Sequence, residues 1–282
     1  MTVAQLKQLF TERLVPVMGE REAKAVFLLA VAELSGISRA EVLLDPMREV
    51  AQEDENKLSA ALVQLEKHRP VQYVLGCAEF CGMRFEVGEG VLIPRPETEE
   101  LVRLIAQEWR GRRPAILDVG TGSGAIAVAL AALLPGAQVA AADVSEQALG
   151  YARRNAEANG VKVELHRWDI FSPDTTFSAA QFDIIVSNPP YVPLSEKEAM
   201  AQNVVDYEPH LALFVDDNDP LRFYRAIARF ASGRLAPGGG LYFEIFEKSG
   251  AEVCTLLAEE GFPDAKVIND INSKERIVRW KS

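Results

Sequence analysis

Apolar residues follow two different rhythms along the chain. Over residues 2–68 they recur every three or four positions: Leu6, Leu9, Phe10, Leu14 and Val17, then Ala25, Phe27, Leu28, Val31, Ala32 and Leu34 ahead of Ser35-Gly36. That spacing places them on one face of a helix, and the Ser-Gly pair stops it. Ser38, with Glu41 three residues on, can cap a short third helix. A fourth runs from about Asp54 through Leu58, Leu62 and Leu65 to His68, where Arg69-Pro70 ends it. Four short helices predict a small bundle over residues 1–70. Such a bundle either shields one side of the remaining chain or docks a partner, and it carries no chemistry of its own.

The rhythm changes at residue 71. Phe80, Met83, Phe85 and Val87 alternate around Cys81-Gly82, which predicts a β-hairpin within a linker over 71–93. Residues 94–282 then form the main domain. Pro96 suits the first turn of a helix, and Glu97, Glu99 and Glu100 suit its positive end. Arg95, between Pro94 and Pro96, is either part of that helix signal or a wall of a site. From Ala115 onward short apolar runs alternate with helical stretches. Strands are expected at 115–119, 138–144, 163–168, 182–187, 240–245, 266–268 and 276–280. Helices are expected near 123–134, 146–159, 218–235 and 248–260. This is the pattern of an α/β fold with a mostly parallel seven-stranded sheet and helices on both faces. No long helix separates the last two strands, so they are expected to be antiparallel.

Composition narrows the class. With 48% hydrophobic and 25% charged residues in 282, the chain reads as an ordinary globular protein with enough length for a real core. Three cysteines, Cys77, Cys81 and Cys254, are too few and too odd for a disulfide framework and point to a reducing compartment. The three histidines, His68, His166 and His210, are scattered, so no metal site is expected. The first thirty residues are rich in charge, and no segment has the length and apolarity of a membrane span. A cytoplasmic protein is expected, and a monomer, since no segment demands a symmetric interface. A net charge of −11 weighs against binding to a nucleic-acid duplex.

The chemistry is concentrated at four strand ends. Asn188, Pro189, Pro190 and Tyr191 follow the apolar run Phe182–Val186. Two prolines cannot continue a sheet ladder, so the chain leaves the sheet as a stiff loop. The Asn188 side-chain carbonyl and the Pro189 backbone carbonyl are two fixed acceptors for the two N–H bonds of a planar NH₂ group. Tyr191 offers a flat face to stack on it. Such a group occurs on a carboxamide or on the exocyclic amine of adenine or cytosine. A plain proline turn is the alternative.

Upstream, Asp118-Val119-Gly120-Thr121-Gly122-Ser123-Gly124 joins a strand to a helix. Such a loop lets the backbone turn sharply and approach a ligand at the helix N-terminus. Gly120, Gly122 and Ala125 satisfy the loose dinucleotide pattern as well. Asp143, at the end of the next strand, suits a ribose diol in either NAD or S-adenosylmethionine. Asp169 can accept from an adenine amine while Ile170 packs on the ring, and this pair together with the Asn188 loop favours the second cofactor.

These motifs resemble the class I S-adenosylmethionine-dependent methyltransferases that act on amide or amine nitrogen. The resemblance narrows with Arg69-Pro70-Val71-Gln72-Tyr73-Val74-Leu75-Gly76, Phe80, Phe85 and the run Val91 to Glu99. Glu208-Pro209, Ala212-Leu213, Asp270, Lys274 and Arg276 extend it. From Arg69 onward the chain is similar to the bacterial release-factor glutamine methyltransferases, the PrmC/HemK family. Over the first 68 residues the likeness is one of helical character and length.

The resemblance implies a Rossmann-like methyltransferase fold and S-adenosylmethionine held by Gly120, Thr121, Gly122, Ser123, Gly124, Asp143, Asp169, Ile170 and Asn188. It implies transfer to N5 of the glutamine in the Gly-Gly-Gln motif of class 1 peptide chain release factors. Asn188, Pro189 and Tyr191 would act on that glutamine, and Pro190 would help to bind it. The helical bundle would help hold the factor, with no direct nucleic-acid partner and no membrane. The chain departs from the family at Phe246, often glycine there, before Lys274, where a glycine is usual, and at Ile170, sometimes tryptophan. The rival readings are an adenine-N6 methyltransferase acting on a flipped base, a non-catalytic cofactor-binding protein, and an NAD-dependent dehydrogenase.

Overall fold

In the computed structural model, which describes every residue except 174, 175, 178 and 179, the chain divides into two compact units. One comprises Met1–Cys77 with Ala201–Tyr207, the other Ala78–Met200 with Glu208–Ser282.

The first unit is helical. It contains α1 (Val3–Met18), α2 (Glu20–Ser35), α3 (Arg39–Leu44), α4 (Gln52–Leu65) and the short α5 (Val71–Leu75). The caps follow the sequence. Ser38 Oγ accepts from the Glu41 N–H at 3.3 Å, and the Glu41 carboxylate accepts from the Ser38 N–H at 2.8 Å. Thr2 and Gln5 form the same reciprocal box on α1. Leu6, Phe10, Leu14, Phe27, Val31, Leu58, Leu62 and Leu65 are buried together, with Phe10 and Phe27 edge to face at 5.4 Å. On α2 the buried stripe is Ala23, Val26, Phe27, Ala30 and Val31. Ala25 and Ala32, expected inside, lie exposed on the opposite side. An alanine buries too little surface to set a helix's phase, so the larger Val26, Phe27 and Val31 decide it.

The second unit begins with the hairpin β1 (Cys77–Phe80) and β2 (Met83–Glu86), whose first residue still belongs to the helical unit. Cys81 and Gly82 both have positive φ, 51° and 72°, the requirement of a two-residue turn matched to strand twist. Then follow α6 (Pro96–Glu108), β3 (Ala115–Val119), α7 (Ala125–Leu133), β4 (Gln138–Asp143), α8 (Glu146–Ala158), β5 (Glu164–Arg167) and β6 (Phe182–Ser187). A short parallel pair, β7 (Val192–Pro193) and β8 (Phe214–Val215), follows, and in sequence between them come a 3₁₀ turn at Leu194–Ala199, α9 (Gln202–Tyr207), which belongs to the first unit, and α10 (His210–Leu213). The chain closes with α11 (Arg222–Ser232), β9 (Leu235–Glu244), α12 (Gly250–Glu259), β10 (Lys266–Asn269) and β11 (Glu275–Lys281).

The main sheet has seven strands in the order β10-β11-β9-β6-β3-β4-β5. All neighbours from β9 to β5 are parallel, and β11 runs antiparallel to both β9 and β10, as expected for the closing pair. β9 begins earlier than the apolar run from residue 240 predicts. Leu235 pairs with Phe182 before an irregularity carries the register to Ile184 and Gly240. The chain winds outward from β3 through β4 to β5, then returns to place β6 on the other side of β3. That reversal opens a crevice at the carboxyl ends of β3 and β6. Leu117, Ile185, Leu241, Phe243 and Val278 bury one face of the sheet against Tyr224 and Ile227 of α11 and Val253 and Leu257 of α12. Among the described residues no helix is long and apolar enough to cross a membrane.

The opposite face holds one buried polar pair that fixes α6. Trp109 Nε1 donates to Tyr242 Oη at 2.9 Å, and Tyr242 Oη donates to Glu108 Oε2 at 2.8 Å. Both aromatic residues are buried. Tyr242→Phe leaves the indole N–H without its acceptor, and we expect a loss of about 1–3 kcal/mol in urea unfolding, with the midpoint lowered. An unchanged midpoint would show that water replaces the phenol.

Candidate active site

The glycine loop is built on the end of β3. Gly120, Gly122 and Gly124 have φ of 76°, 56° and 82°. These values lie in the left-handed region that side chains disfavour. A Cβ on Gly120 or Gly122 would meet open space, so backbone conformation alone demands glycine there. Gly124 differs, because a Cβ would sit 3.0 Å from the Ala152 backbone, so close packing of α8 demands it too. Buried Asn155 on α8 carries the loop. Its Nδ2 donates to Ser123 O at 2.8 Å and Glu86 O at 3.0 Å, and its Oδ1 accepts from Glu86 N at 2.6 Å. Helix α7 starts at this loop without a side-chain cap. Its first-turn N–H groups and positive end suit a carboxylate.

Two aspartates shape the loop from beneath. Thr121 Oγ1 donates to Asp118 Oδ2 at 2.6 Å. Asp118 Oδ1 is buried without a hydrogen-bond partner, and the Ala127 N–H acts on the carboxylate to draw its pKa down. Burial pushes the Asp118 carboxyl up to about 7, Thr121 opposing and the nearby Asp143 adding to the rise. Asp143 accepts from Gly122 N at 2.9 Å through Oδ2 and from Ser145 N at 2.9 Å through Oδ1. Burial raises its carboxyl as well, against the pull of those N–H groups. Each oxygen keeps a lone pair for a further donor. Val144, beside it, is exposed. The Trp168 N–H donates to Asp143 O at 3.0 Å, which brings Asp169 to the neighbouring strand end. Asp169 Oδ1 accepts from the Phe171 N–H at 3.0 Å, and Ile170 packs partly into the core below.

The Asn188 loop is tied directly to the glycine loop. Ser187 Oγ, at the end of β6, donates to Val119 O at 2.6 Å. Asn188 is half-buried and Pro189 buried. Asn188 Nδ2 donates to Thr98 Oγ1 at 3.2 Å, and Thr98 Oγ1 donates to Glu244 Oε2 at 2.6 Å. Tyr191 Oη donates to Glu244 Oε1 at 3.0 Å, and Tyr224 Oη donates to the Glu244 backbone carbonyl at 3.1 Å. Glu244 is 1% exposed. Burial raises its carboxyl above the ordinary 4.5, while Thr98, Tyr191 and Arg276 draw it down and Glu97 pushes it up. Burial, then Glu244, lifts the Tyr191 phenol well above 10, so Tyr191 remains a hydrogen-bond donor. Its ring is thereby held at both ends, by the loop and by the hydroxyl.

Nearby, Arg95 pairs with buried Glu208 at 2.5 Å, and Glu208 Oε2 also accepts from Ile93 N at 3.0 Å. The segment before α6 is thus pinned to the return from the excursion after β7. Among the described residues no group of three His, Cys, Asp or Glu side chains could hold a metal ion.

The crevice therefore gathers the glycine loop, Asp143, Asp169 with Ile170, and the Asn188 loop at consecutive strand ends. Glu244, Asn155 and Asp118 were absent from the sequence-predicted set. Glu244 had a signal, an acidic residue closing the apolar run Leu241–Phe243, where burial forces a partner. Asn155 had none, since its two partner residues, Glu86 on β2 and Ser123 in the glycine loop, are distant in sequence.

Comparison with known proteins bears on both units. Residues 5–76 match the family described as PrmC N-terminal domain, and residues 96–210 match Methyltransferase small domain. A release factor glutamine methyltransferase of Bacteroides thetaiotaomicron is 45% identical over 91% of this chain and 92% of its own length. Its counterpart in Flavobacterium psychrophilum is 39% identical over 99% of both chains. A methyltransferase structure from Pyrococcus furiosus, 20% identical, shares the fold with a TM-score of 0.52 over 79% of this chain and 98% of its own.

Asp118 generates a prediction about stability. Its carboxyl holds a proton to about pH 7 in the folded protein, whereas the unfolded chain releases it near 3.8. The stabilisation is present at acid pH and is lost as pH rises through about 7. Asp118→Asn does not titrate. In urea unfolding of the ligand-free protein, the gap between variant and wild type should move by about 2 kcal/mol in the variant's favour from about pH 5.5 to about pH 8. A gap that does not move with pH would mean that Asp118 is ionised throughout.

Proposed function

This chain belongs to the release factor glutamine methyltransferase family, and we propose that it transfers a methyl group from S-adenosylmethionine to N5 of the glutamine in the Gly-Gly-Gln motif of class 1 peptide chain release factors. The observation that carries this reading is the Asn188 loop. Two acceptors at the carboxyl end of β6 stand beside an open glycine loop, and a donor chain behind Asn188 sets its amide.

The residues present fit the cofactor. Open space over Gly120 and Gly122 admits a ligand against the backbone, and the uncapped start of α7 suits its carboxylate. Asp118 Oδ1 lies beneath the glycine loop, buried and without a hydrogen-bond partner. We assign Gly120, Thr121, Gly122, Ser123 and Gly124 to the amino-acid portion, Asp143 to the ribose, and Asp169 with Ile170 to the adenine. When bound, S-adenosylmethionine supplies a methyl group on a sulfonium whose sulfur leaves as a neutral thioether.

The chain's own residues do the rest by position. A carboxamide nitrogen is a poor nucleophile because its lone pair is delocalised into the carbonyl. Asn188 Oδ1 and the Pro189 carbonyl accept its two N–H bonds and aim the nitrogen. Tyr191, held by Glu244, presents its ring to the amide plane, and Pro190 keeps the loop stiff. The acceptors favour positive charge growing on nitrogen in the transition state, and water takes the displaced proton afterwards. No base is assigned.

The helical unit is assigned to holding the release factor. Leu29, Leu43, Leu44, Met47 and Val63 lie exposed on it and offer apolar contacts to a partner. With a net charge of −11, the chain is assigned no direct nucleic-acid partner.

Labelled S-adenosylmethionine tests the reading. Label should enter a purified bacterial release factor, should not enter its Gln→Ala variant at the Gly-Gly-Gln motif, and should not enter adenine-rich DNA. Asn188→Ala should lower transfer by about 100-fold or more while cofactor affinity changes little. Label on DNA but not on the factor would give the case to a base methyltransferase. Retained turnover in Asn188→Ala would contradict the role of the loop.

A further inference from the structure

We propose that Thr98 and Glu244 are positioning residues: a one-way hydrogen-bond chain from Asn188 Nδ2 through Thr98 Oγ1 to Glu244 Oε2 holds the Asn188 amide with its oxygen toward the substrate nitrogen. The inference rests on the methyl transfer proposed above and adds two residues, on α6 and β9, to the machinery of that step.

An asparagine amide has one acceptor edge and one donor edge, related by a half-turn about its last bond. Only one of the two orientations offers a carbonyl to an incoming NH₂; the other sets N–H against N–H. Nothing in Asn188 itself chooses between them, so its neighbours must.

The choice starts at Glu244. An ionised carboxylate accepts hydrogen bonds and cannot donate them. The distance of 2.6 Å from Thr98 Oγ1 to Glu244 Oε2 therefore commits the single Thr98 proton to Glu244. With that proton spent, Thr98 Oγ1 can only accept from Asn188. The group 3.2 Å away must be Nδ2, and Oδ1 must lie on the other edge. Among the described residues Oδ1 has no hydrogen-bond partner, as a group reserved for a substrate should. Thr98 is 4% exposed and Glu244 1%, so water does not compete for either.

The same carboxylate fixes Tyr191 through its other oxygen, at 3.0 Å. One buried charge thus orients both an acceptor and the aromatic ring of the Asn188 loop. The charged and titratable groups facing Glu244 are Glu97 from α6, Tyr191 from the loop after β6, Tyr224 from α11, and Arg276 from β11. Arg276 is itself paired with Asp270 at 3.3 Å. If Glu244 takes up a proton on Oε2, it donates to Thr98, whose own proton then turns to Asn188 and draws Oδ1 toward it. The amide reverses and methyl transfer fails. Burial raises Glu244 above the ordinary 4.5, so this reversal sets in at higher pH than it would for an exposed glutamate.

Three variants test the chain, each assayed on a release factor at saturating cofactor with melting temperature measured alongside. Thr98→Val keeps the shape and removes the hydroxyl. Its kcat should fall about 10- to 100-fold with KM for the release factor within about twofold, because orientation and not docking is lost. Thr98→Ser restores the hydroxyl and should return kcat to within about threefold of wild type, which general packing damage would not do. Glu244→Gln cannot ionise. The wild type should lose kcat on acidification, and this variant should lack that acid limb.

A wild type that does not label the release factor defeats the proposed function itself. A wild type that does, beside a folded Thr98→Val with unchanged kcat, defeats this inference alone. An acid limb kept in Glu244→Gln, or a Thr98→Ser as slow as Thr98→Val, also overturns it. Should Thr98→Val not fold, the serine variant and the Glu244→Gln pH profile decide the question.

Discussion

A carboxylate closed away from water at the end of β9 is the constraint on which the rest of the site depends. Burying a charge is unfavourable unless its lone pairs are occupied. Glu244 meets that condition by accepting hydrogen bonds from Thr98 and Tyr191, while Tyr224 donates to its backbone carbonyl. Each of those donors loses its freedom to point elsewhere. Directionality then spreads outward, from Glu244 to a hydroxyl, from the hydroxyl to an amide, and from the amide to the space where a substrate nitrogen would sit. A neutral residue at Glu244 could fill the same volume without imposing a direction.

The fold supplies the stage on which this works. Reversal of strand order places the carboxyl ends of β3 and β6 side by side, and Ser187 Oγ fastens one to the other at Val119 O. Asn155 fastens the glycine loop to the hairpin from the opposite side. A loop carrying two prolines then needs little further support to stay rigid. Catalysis by position asks for this economy, since misplacement by about 1 Å can cost about 100-fold in rate.

Much of this was legible in the residues. Alternating apolar runs gave the strands of the main sheet, and the missing helix before Lys266 gave the antiparallel closing pair. The glycine loop, Asp143 and Asn188-Pro189-Pro190-Tyr191 were visible because their chemistry depends on local spacing. Three kinds of feature were hidden. The phase of α2 departs from the pattern where alanines carry it, since Ala25 and Ala32 lie exposed. The short elements between Val192 and Val215 left no periodic signal, being too brief for one. The network behind Asn188 joins Thr98, Asn188 and Glu244, as far as 146 residues apart for one bond, and only the folded chain brings them together. Glu208 belongs to the residues that carry the family resemblance, and its bond to Arg95 gives the physical reason for it.

The central claim is that this site selects a planar NH₂ by two carbonyl acceptors whose direction is set from behind. A crystal structure of the protein with S-adenosylhomocysteine and a peptide containing Gly-Gly-Gln tests it most directly. We predict the glutamine nitrogen within hydrogen-bond distance of both Asn188 Oδ1 and the Pro189 carbonyl, with Thr98 still bridging Asn188 and Glu244. A glutamine bound through its oxygen, or an Asn188 freed from Thr98 when the peptide binds, would contradict it.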